Sequence, residues 1–239
     1  MALPKIDAPK YEMKIPSTGE TVLYRPYLVK EEKILMMAME SNDDRQMISA
    51  IKDVIASCTE NAIDVSKLAM FDLEYIFTML RSKSVGETAT VGVKCTSCDK
   101  KNDVEIVLDD VRVDVPADSS NKVISLTDTI KVKMRYPSVN SLMNANSENL
   151  ADTADVDVLF DMLISCIDTI YAGEEMYDAS QQTKAELKEF IESLSTKQFG
   201  EMQKFIETMP SASIDIKFKC LECQADNEMN VKGLGNFFS

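Results

Sequence analysis

The sequence predicts an α+β fold in which helical segments are interspersed with β-hairpins. Three observations predict it. In some stretches apolar residues recur at helical spacing, as at Ile48, Ile51, Ile55 and Cys58, and in others they alternate with polar ones, as at Ile214, Ile216 and Phe218. Two Cys-x-x-Cys motifs each stand between a pair of such alternating stretches. The 239 residues are 45% hydrophobic and 28% charged, a globular composition at a length that should bury roughly 70% of the unfolded surface.

Taken in order, Tyr11, Met13 and Ile15 alternate, Pro16-Ser17-Thr18-Gly19 supplies a turn, and Val22 and Tyr24 continue the pattern as a hairpin. Residues 30–39 are rich in strong helix formers, and Asn42-Asp43 is a start signal for a helix over 44–58. A third helix carries Phe71, Leu73, Ile76, Phe77 and Leu80. Val91 and Val93 then alternate before Cys95-Thr96-Ser97-Cys98, and Val104, Ile106 and Leu108 alternate after it, which reads strand, knuckle, strand. Strands return at 123–126 and 130–136, ended by Pro137. Over 155–171, Val156, Leu159, Phe160, Leu163, Ile167 and Ile170 share one face of a predicted helix. Thr183-Lys184-Ala185-Glu186 and Ser195-Thr196-Lys197-Gln198 both fit the capping box, opening two more helices, the second closed by Pro210. Alternation then resumes around Cys220-Leu221-Glu222-Cys223, reaching Met229 and Val231.

The order hairpin, proline, helices, strand, CxxC, strand occurs twice. This suggests an internal duplication, with a first α+β half over 1–118 and a second over 119–239, joined near Val115-Pro116-Ala117-Asp118. Tyr24-Arg25-Pro26 resembles Arg135-Tyr136-Pro137, and Thr78-Met79 resembles Thr208-Met209. The competing reading is a small ribbon interrupted by a helical insertion.

A CxxC in a tight turn between strands points two thiolates at one spot, and two such turns supply the four sulfurs of a tetrahedral zinc site. Cys95, Cys98, Cys220 and Cys223 are therefore the predicted metal ligands of a split zinc ribbon, with one structural zinc per chain. The separation is unusual, because 121 residues (99–219) lie between Cys98 and Cys220. Iron suits the same donors, and the thiols could also be reduced bystanders or a redox pair. A redox CxxC sits where a strand opens into a helix, whereas each pair here precedes another strand. Cys58 and Cys166 fall on apolar helical stripes and read as buried free cysteines.

With 26 basic and 40 acidic residues the net charge is −14, which repels phosphate backbones and disfavours nucleic-acid binding. The absence of histidine removes Ser-His-Asp and Cys-His catalysis and histidine-ligated metals. The glycines form neither a P-loop nor a dinucleotide fingerprint. Asp72 and Glu74 stand two apart on a helix, do not face each other, and read as a solvated charged face. No enzyme is expected. Met1-Ala2-Leu3-Pro4-Lys5-Ile6-Asp7 has no apolar signal region, and no run is long enough to span a bilayer, so a soluble cytoplasmic protein without membrane contact is expected. Met36, Met37 and Met39 read mainly as core filler, with an adaptable binding surface as the alternative. Phe237 and Phe238 read equally as a tail tucked into the chain or inserted into a partner.

Particular strings carry a family likeness. Leu3-Pro4-Lys5, Pro16-Ser17-Thr18-Gly19, the run from Tyr24-Arg25-Pro26-Tyr27 to Glu31-Glu32-Lys33, Phe71-Asp72-Leu73-Glu74-Tyr75 and Leu80-Arg81-Ser82-Lys83-Ser84-Val85-Gly86-Glu87 resemble the baseplate hub proteins of T-even-like contractile-tailed bacteriophages. The likeness is clearest over residues 1 to 108. It implies a tail-assembly role in the host cytoplasm or in the virion, with other hub proteins as partners, and it transfers no catalytic residue. The expected function is thus a non-enzymatic structural or assembly protein acting through protein–protein contacts. The alternative is a zinc-ribbon regulator touching nucleic acid or polymerase through Lys94, Lys100, Lys101, Lys217 and Lys219, and a third reading is a thiol oxidoreductase.

Overall fold

The computed structural model describes residues 7–41, 43–115, 122–144 and 156–232. It is a mixture of helix and sheet that divides into two compact units, Met1–Asp114 with Ser211–Ser239, and Val115–Pro210. Asn42, Pro116, Ala117, Asp118, Asp155, Phe237, Phe238 and the string Leu3-Pro4-Lys5 lie outside the described residues.

The first unit opens with β1 (Tyr11–Lys14) and β2 (Thr21–Tyr24), an antiparallel hairpin with Met13 opposite Val22. Its turn needs a left-handed residue, which Gly19 supplies at φ +71°, and the Gly19 amide donates to the Ile15 carbonyl at 2.8 Å. Three helices follow, α1 (Val29–Glu40), α2 (Asp44–Cys58) and α3 (Met70–Ser84). Asp43 caps α2, accepting from the Arg45 and Gln46 amides. Along α3, Leu73, Ile76 and Leu80 repeat at helical spacing and are fully buried, each contributing roughly 2 kcal/mol of hydrophobic stabilisation. β3 (Thr88–Lys94) and β4 (Lys101–Val107) form the next hairpin, with Ala89, Val91 and Val93 on its buried face. A two-residue strand, β5 (Arg112–Val113), ends this stretch.

The second unit is built on a four-stranded antiparallel sheet. Its strands are β6 (Val123–Ser125), β7 (Ile130–Met134), β8 (Ile167–Ala172) and β9 (Glu175–Asp178), in that spatial order. Between β7 and β8 lie α4 (Val139–Asn144) and α5 (Val156–Cys166); after β9 come α6 (Lys184–Glu192) and α7 (Thr196–Glu207). Both capping boxes form: Thr183 and Glu186 exchange bonds at 2.7 and 3.2 Å, Ser195 and Gln198 at 2.8 and 3.4 Å. Val132, Met134, Leu163, Ile191, Met202 and Phe205 are central to the core of this unit.

The chain then rejoins the first unit as β10 (Ala212–Lys219) and β11 (Asp226–Lys232), in a sheet ordered β11-β10-β5. The compact units thus differ from the halves in chain order, since residues 211–239 group with 1–114. The causes are local: Ala212 pairs with Val113, and the Ala212 amide donates to Glu74 at 3.3 Å.

Three expectations need correction. The helix expected over 155–171 ends at Cys166, and Ile167–Ala172 is strand β8. The sequence Ile167-Asp168-Thr169-Ile170-Tyr171 is rich in β-branched and aromatic side chains, which favour a pleated strand. A register shift between Lys133 and Met134 leaves Asp168 as an extra residue, so Ile167 and Ile170 are both buried although three apart. That bulge imitates helical spacing. Secondly, Met36, Met37 and Met39 are 59%, 62% and 53% exposed, because α1 buries only the stripe Glu31, Leu35 and Ala38. Met13, Met79, Met134 and Met202 fill core instead. Thirdly, Asp72 is no solvated charge: it is fully buried, accepting from the amides of Ser17 at 2.9 Å and Ala69 at 3.2 Å, and burial pushes its carboxyl pKa up against those bonds.

Candidate metal centre

Each CxxC closes a hairpin in the same way. The Cys95 amide donates to the Lys100 carbonyl at 2.9 Å and the Cys220 amide to the Ala225 carbonyl at 2.9 Å. The Asp99 amide returns to the Cys95 carbonyl, and the Gln224 amide to the Cys220 carbonyl, both at 3.0 Å. The residue after the second cysteine is left-handed in each, Asp99 at φ +56° and Gln224 at φ +59°. Asp is among the non-glycine residues that accept this region most readily. Two copies of one turn, on β3-β4 and on β10-β11, present their thiols.

The four thiols converge. The sulfurs of Cys95, Cys98, Cys220 and Cys223 all lie within 4.8 Å of one another. Contacts cross between the knuckles, with Cys95 to Cys223 and Cys98 to Cys220 each at 3.7 Å. A tetrahedral ion with metal–sulfur bonds of about 2.3 Å requires sulfur–sulfur edges of about 3.8 Å. The donor set and its spacing fit a four-sulfur metal.

Electrostatics prepare the sulfurs for that charge. The Ser97 amide, with the Cys98 amide and the Asn227 side chain, draws the Cys95 thiol down to about 6. The Cys223 and Glu222 amides lower Cys220 in the same sense. Cys98 moves the other way, to about 12: the Lys100 amide pulls it down, but burial and the neighbouring sulfurs of Cys223, Cys220 and Cys95 prevail. Negative charge is thus favoured at Cys95 and Cys220, the first cysteine of each turn. A divalent cation would remove the crowding that opposes it at Cys98.

Sequence reading overlooked two residues here, Asn102 and Asn227. Both are nearly buried, at 4% and 5% exposure, and both stand four places after the second cysteine of their pair. That shared position was the available signal. The Asn102 Oδ1 accepts from the Leu221 amide at 3.0 Å, and the Asn227 Oδ1 from the Thr96 amide at 2.9 Å.

The remaining cysteines lie elsewhere. Cys58 and Cys166 are 1% and 0% exposed, and burial pushes their thiols up to about 11 and about 12, which keeps them neutral. Each ends a helix and offers its carbonyl to an arginine: the Arg25 amide donates to Cys58 at 3.0 Å, the Arg135 amide to Cys166 at 2.7 Å. The guanidinium of Arg25 also meets buried Glu31 at 2.8 Å. The lysines that would face a phosphate backbone, Lys94, Lys100, Lys101, Lys217 and Lys219, are exposed, and Lys217 pairs with Glu228 at 2.8 Å. Among the described residues no helix is long and apolar enough to cross a membrane.

Comparison with known proteins adds the biological setting. The baseplate hub assembly protein gp26 of Enterobacteria phage T4 is 26% identical over 230 residues, covering 96% of this chain and 98% of that protein. No solved structure matches significantly. The family described as T4 bacteriophage base plate protein matches residues 8–239, a span that takes in both knuckles and both compact units, and the chain belongs to that family.

Proposed function

We propose that this chain is a non-enzymatic structural or assembly protein of a phage tail baseplate hub, acting through contacts with other hub proteins and braced by one structural zinc ion. The family match over nearly the whole chain carries this reading, and the relative of almost equal span is named for hub assembly. Its setting is the host cytoplasm during assembly and the baseplate of the virion.

The residues that would hold the zinc are Cys95, Cys98, Cys220 and Cys223, whose mutual spacing supports that use. Four thiolates complete a tetrahedral shell and leave no position for water or substrate, so the metal would hold the fold without reacting. The knuckles then form one ribbon split by the intervening chain. Paired details support an origin by duplication of halves 1–118 and 119–239. Besides the matched knuckles, Arg25 also reaches the Ser57 carbonyl and Arg135 the Ser165 carbonyl, each at 3.4 Å. Asp64 and Asp178 cap equivalent short turns by accepting from Ser66 and Ser180.

A contact surface is available on α1. Val29, Ile34, Met36, Met37 and Met39 are 43% to 80% exposed, apolar side chains set among exposed Lys30, Glu32, Lys33 and Glu40 on the outer side of a helix that already buries its inner stripe. Methionine suits such a face because its thioether adapts to a partner's shape.

The test is co-expression of the full chain with baseplate proteins, followed by affinity purification and native mass spectrometry. A baseplate protein should co-purify, with one zinc per chain. Met36→Ser with Met37→Ser should weaken that capture about tenfold, as loss of apolar anchors does, and leave the melting temperature in place. Co-purification of nucleic acid with no tail protein would overturn the reading in favour of a regulator.

A further inference from the structure

We infer that Asn102 and Asn227 are reciprocal clamps of the metal centre, each fastening the opposite knuckle and tuning the sulfur it touches. The inference rests on the zinc reading above and concerns residues to which that reading gives no part.

The geometry is two-fold. Asn102 belongs to the first knuckle, yet its Oδ1 accepts from the Leu221 amide at 3.0 Å and its Nδ2 faces the Cys220 sulfur at 3.7 Å. Asn227 belongs to the second, yet its Oδ1 accepts from the Thr96 amide at 2.9 Å and its Nδ2 faces the Cys95 sulfur at 3.5 Å. Each side chain also holds its own turn, with Nδ2 donating to the Lys100 carbonyl and to the Ala225 carbonyl, both at 2.9 Å. One amide group therefore joins its own turn, the facing backbone and a facing sulfur.

The chemistry explains why the residue is asparagine. A carboxylate would offer the acceptor but would set a negative charge against a thiolate. A hydroxyl is too short to reach three partners. The amide provides one acceptor for the backbone N–H and two donor hydrogens, one for a carbonyl and one for a sulfur. A donor aimed at a metal-bound thiolate lowers its electron density and fixes its direction. Outer partners of this kind typically change metal affinity by about 10- to 100-fold when removed.

Asn102→Asp and Asn227→Asp keep the acceptor for the facing backbone and lose the donors to the sulfur and to the carbonyl of their own turn. Asn102→Ser and Asn227→Ser remove both without adding charge, and serve if the aspartate chains fail to fold. Zinc affinity is read on the full chain by competition with a chromogenic chelator, with circular dichroism as a check on folding. Cobalt(II) provides a second readout through its sulfur-to-metal charge-transfer band. Each single variant should weaken zinc about 10- to 100-fold and move the cobalt band to longer wavelength, the two positions giving similar effects. Wild-type affinity with an unmoved cobalt band in folded variants would overturn the clamp. A wild-type chain that binds neither zinc nor cobalt would instead overturn the metal reading itself, so the two failures are distinguishable.

Discussion

Arg25 and Arg135 stand at matching corners of the chain, each just after the second strand of a hairpin, each with its backbone amide on the carbonyl of a cysteine that ends a helix. Their guanidinium groups meet different surroundings. Arg25 is paired at 2.8 Å with Glu31, whose side chain is 3% exposed and also accepts from the Leu28 amide and the Ser57 hydroxyl. Arg135 is 46% exposed and lies 3.9 Å from Asp168, which has Lys133 closer at 2.9 Å. The backbone corner is thus independent of the ion pair attached to it. A hydrogen-bonded frame can be kept while the charge beside it moves from interior to surface.

The first consequence is a large difference between two similar substitutions. Glu31→Gln leaves a half-buried guanidinium without its anion and should cost about 3 kcal/mol, whereas Asp168→Asn should cost less than about 1 kcal/mol because exposed pairs contribute little. Urea unfolding followed by segment-resolved hydrogen exchange measures both. Equal losses would erase the distinction between the corners.

Acid should sharpen it. Burial pushes the Glu31 carboxyl up, but Arg25, the Leu28 amide and Ser57 outweigh this and hold it at about 2 against an ordinary 4.5. A carboxyl with a lowered folded-state pKa contributes its stability above the ordinary value and loses it as pH falls through the window from 4.5 towards 2. The loss should approach about 3 kcal/mol by pH 2. Denaturation at stepped pH should show this slope in the wild type, and Glu31→Gln should flatten it.

A smaller effect than that of Glu31 concerns helix starts. The Thr183 hydroxyl caps α6 by accepting from the Glu186 amide, and the Thr183 amide donates to the Glu186 carboxylate in return, while the equivalent cap of α3, Ala69, has only its amide's bond to the Asp72 carboxylate. Thr183→Ala reduces the first arrangement to the second and should cost about 1 kcal/mol. Its calorimetric midpoint should fall by a few degrees.

Legibility in the sequence followed how local each signal was. The knuckles were readable because CxxC between alternating stretches is complete within a dozen residues, and the capping boxes because Thr183 to Glu186 spans three. The bulge at Asp168 was not readable, since Ile167 and Ile170 satisfy helical spacing and only pairing with β7 distinguishes the two. The burial of Glu31 carried no sequence signal, because its partners Arg25 and Ser57 come from other elements. The reach of Asn102 and Asn227 across to the other knuckle required both turns to be in view together. Exposure of Met36 and Met37 was hidden for a related reason: a methionine-rich helix reads as core until the stripe actually buried is known.

One feature of the topology bears on the order in which the protein is made. The sulfurs that converge come from the two separate segments of the first unit, with Val115–Pro210 synthesised between them. On the ribosome Cys95 and Cys98 emerge first and wait through the whole intervening unit for Cys220 and Cys223. Joining ends so far apart carries a chain-entropy cost of about 4 kcal/mol, which a pre-folded intervening unit reduces by shortening the free segment. A chain released early, before residue 220, has half the sulfurs and cannot close the site. Closure of the cluster would therefore mark synthesis through Cys223, separating chains that carry both knuckles from chains that carry one.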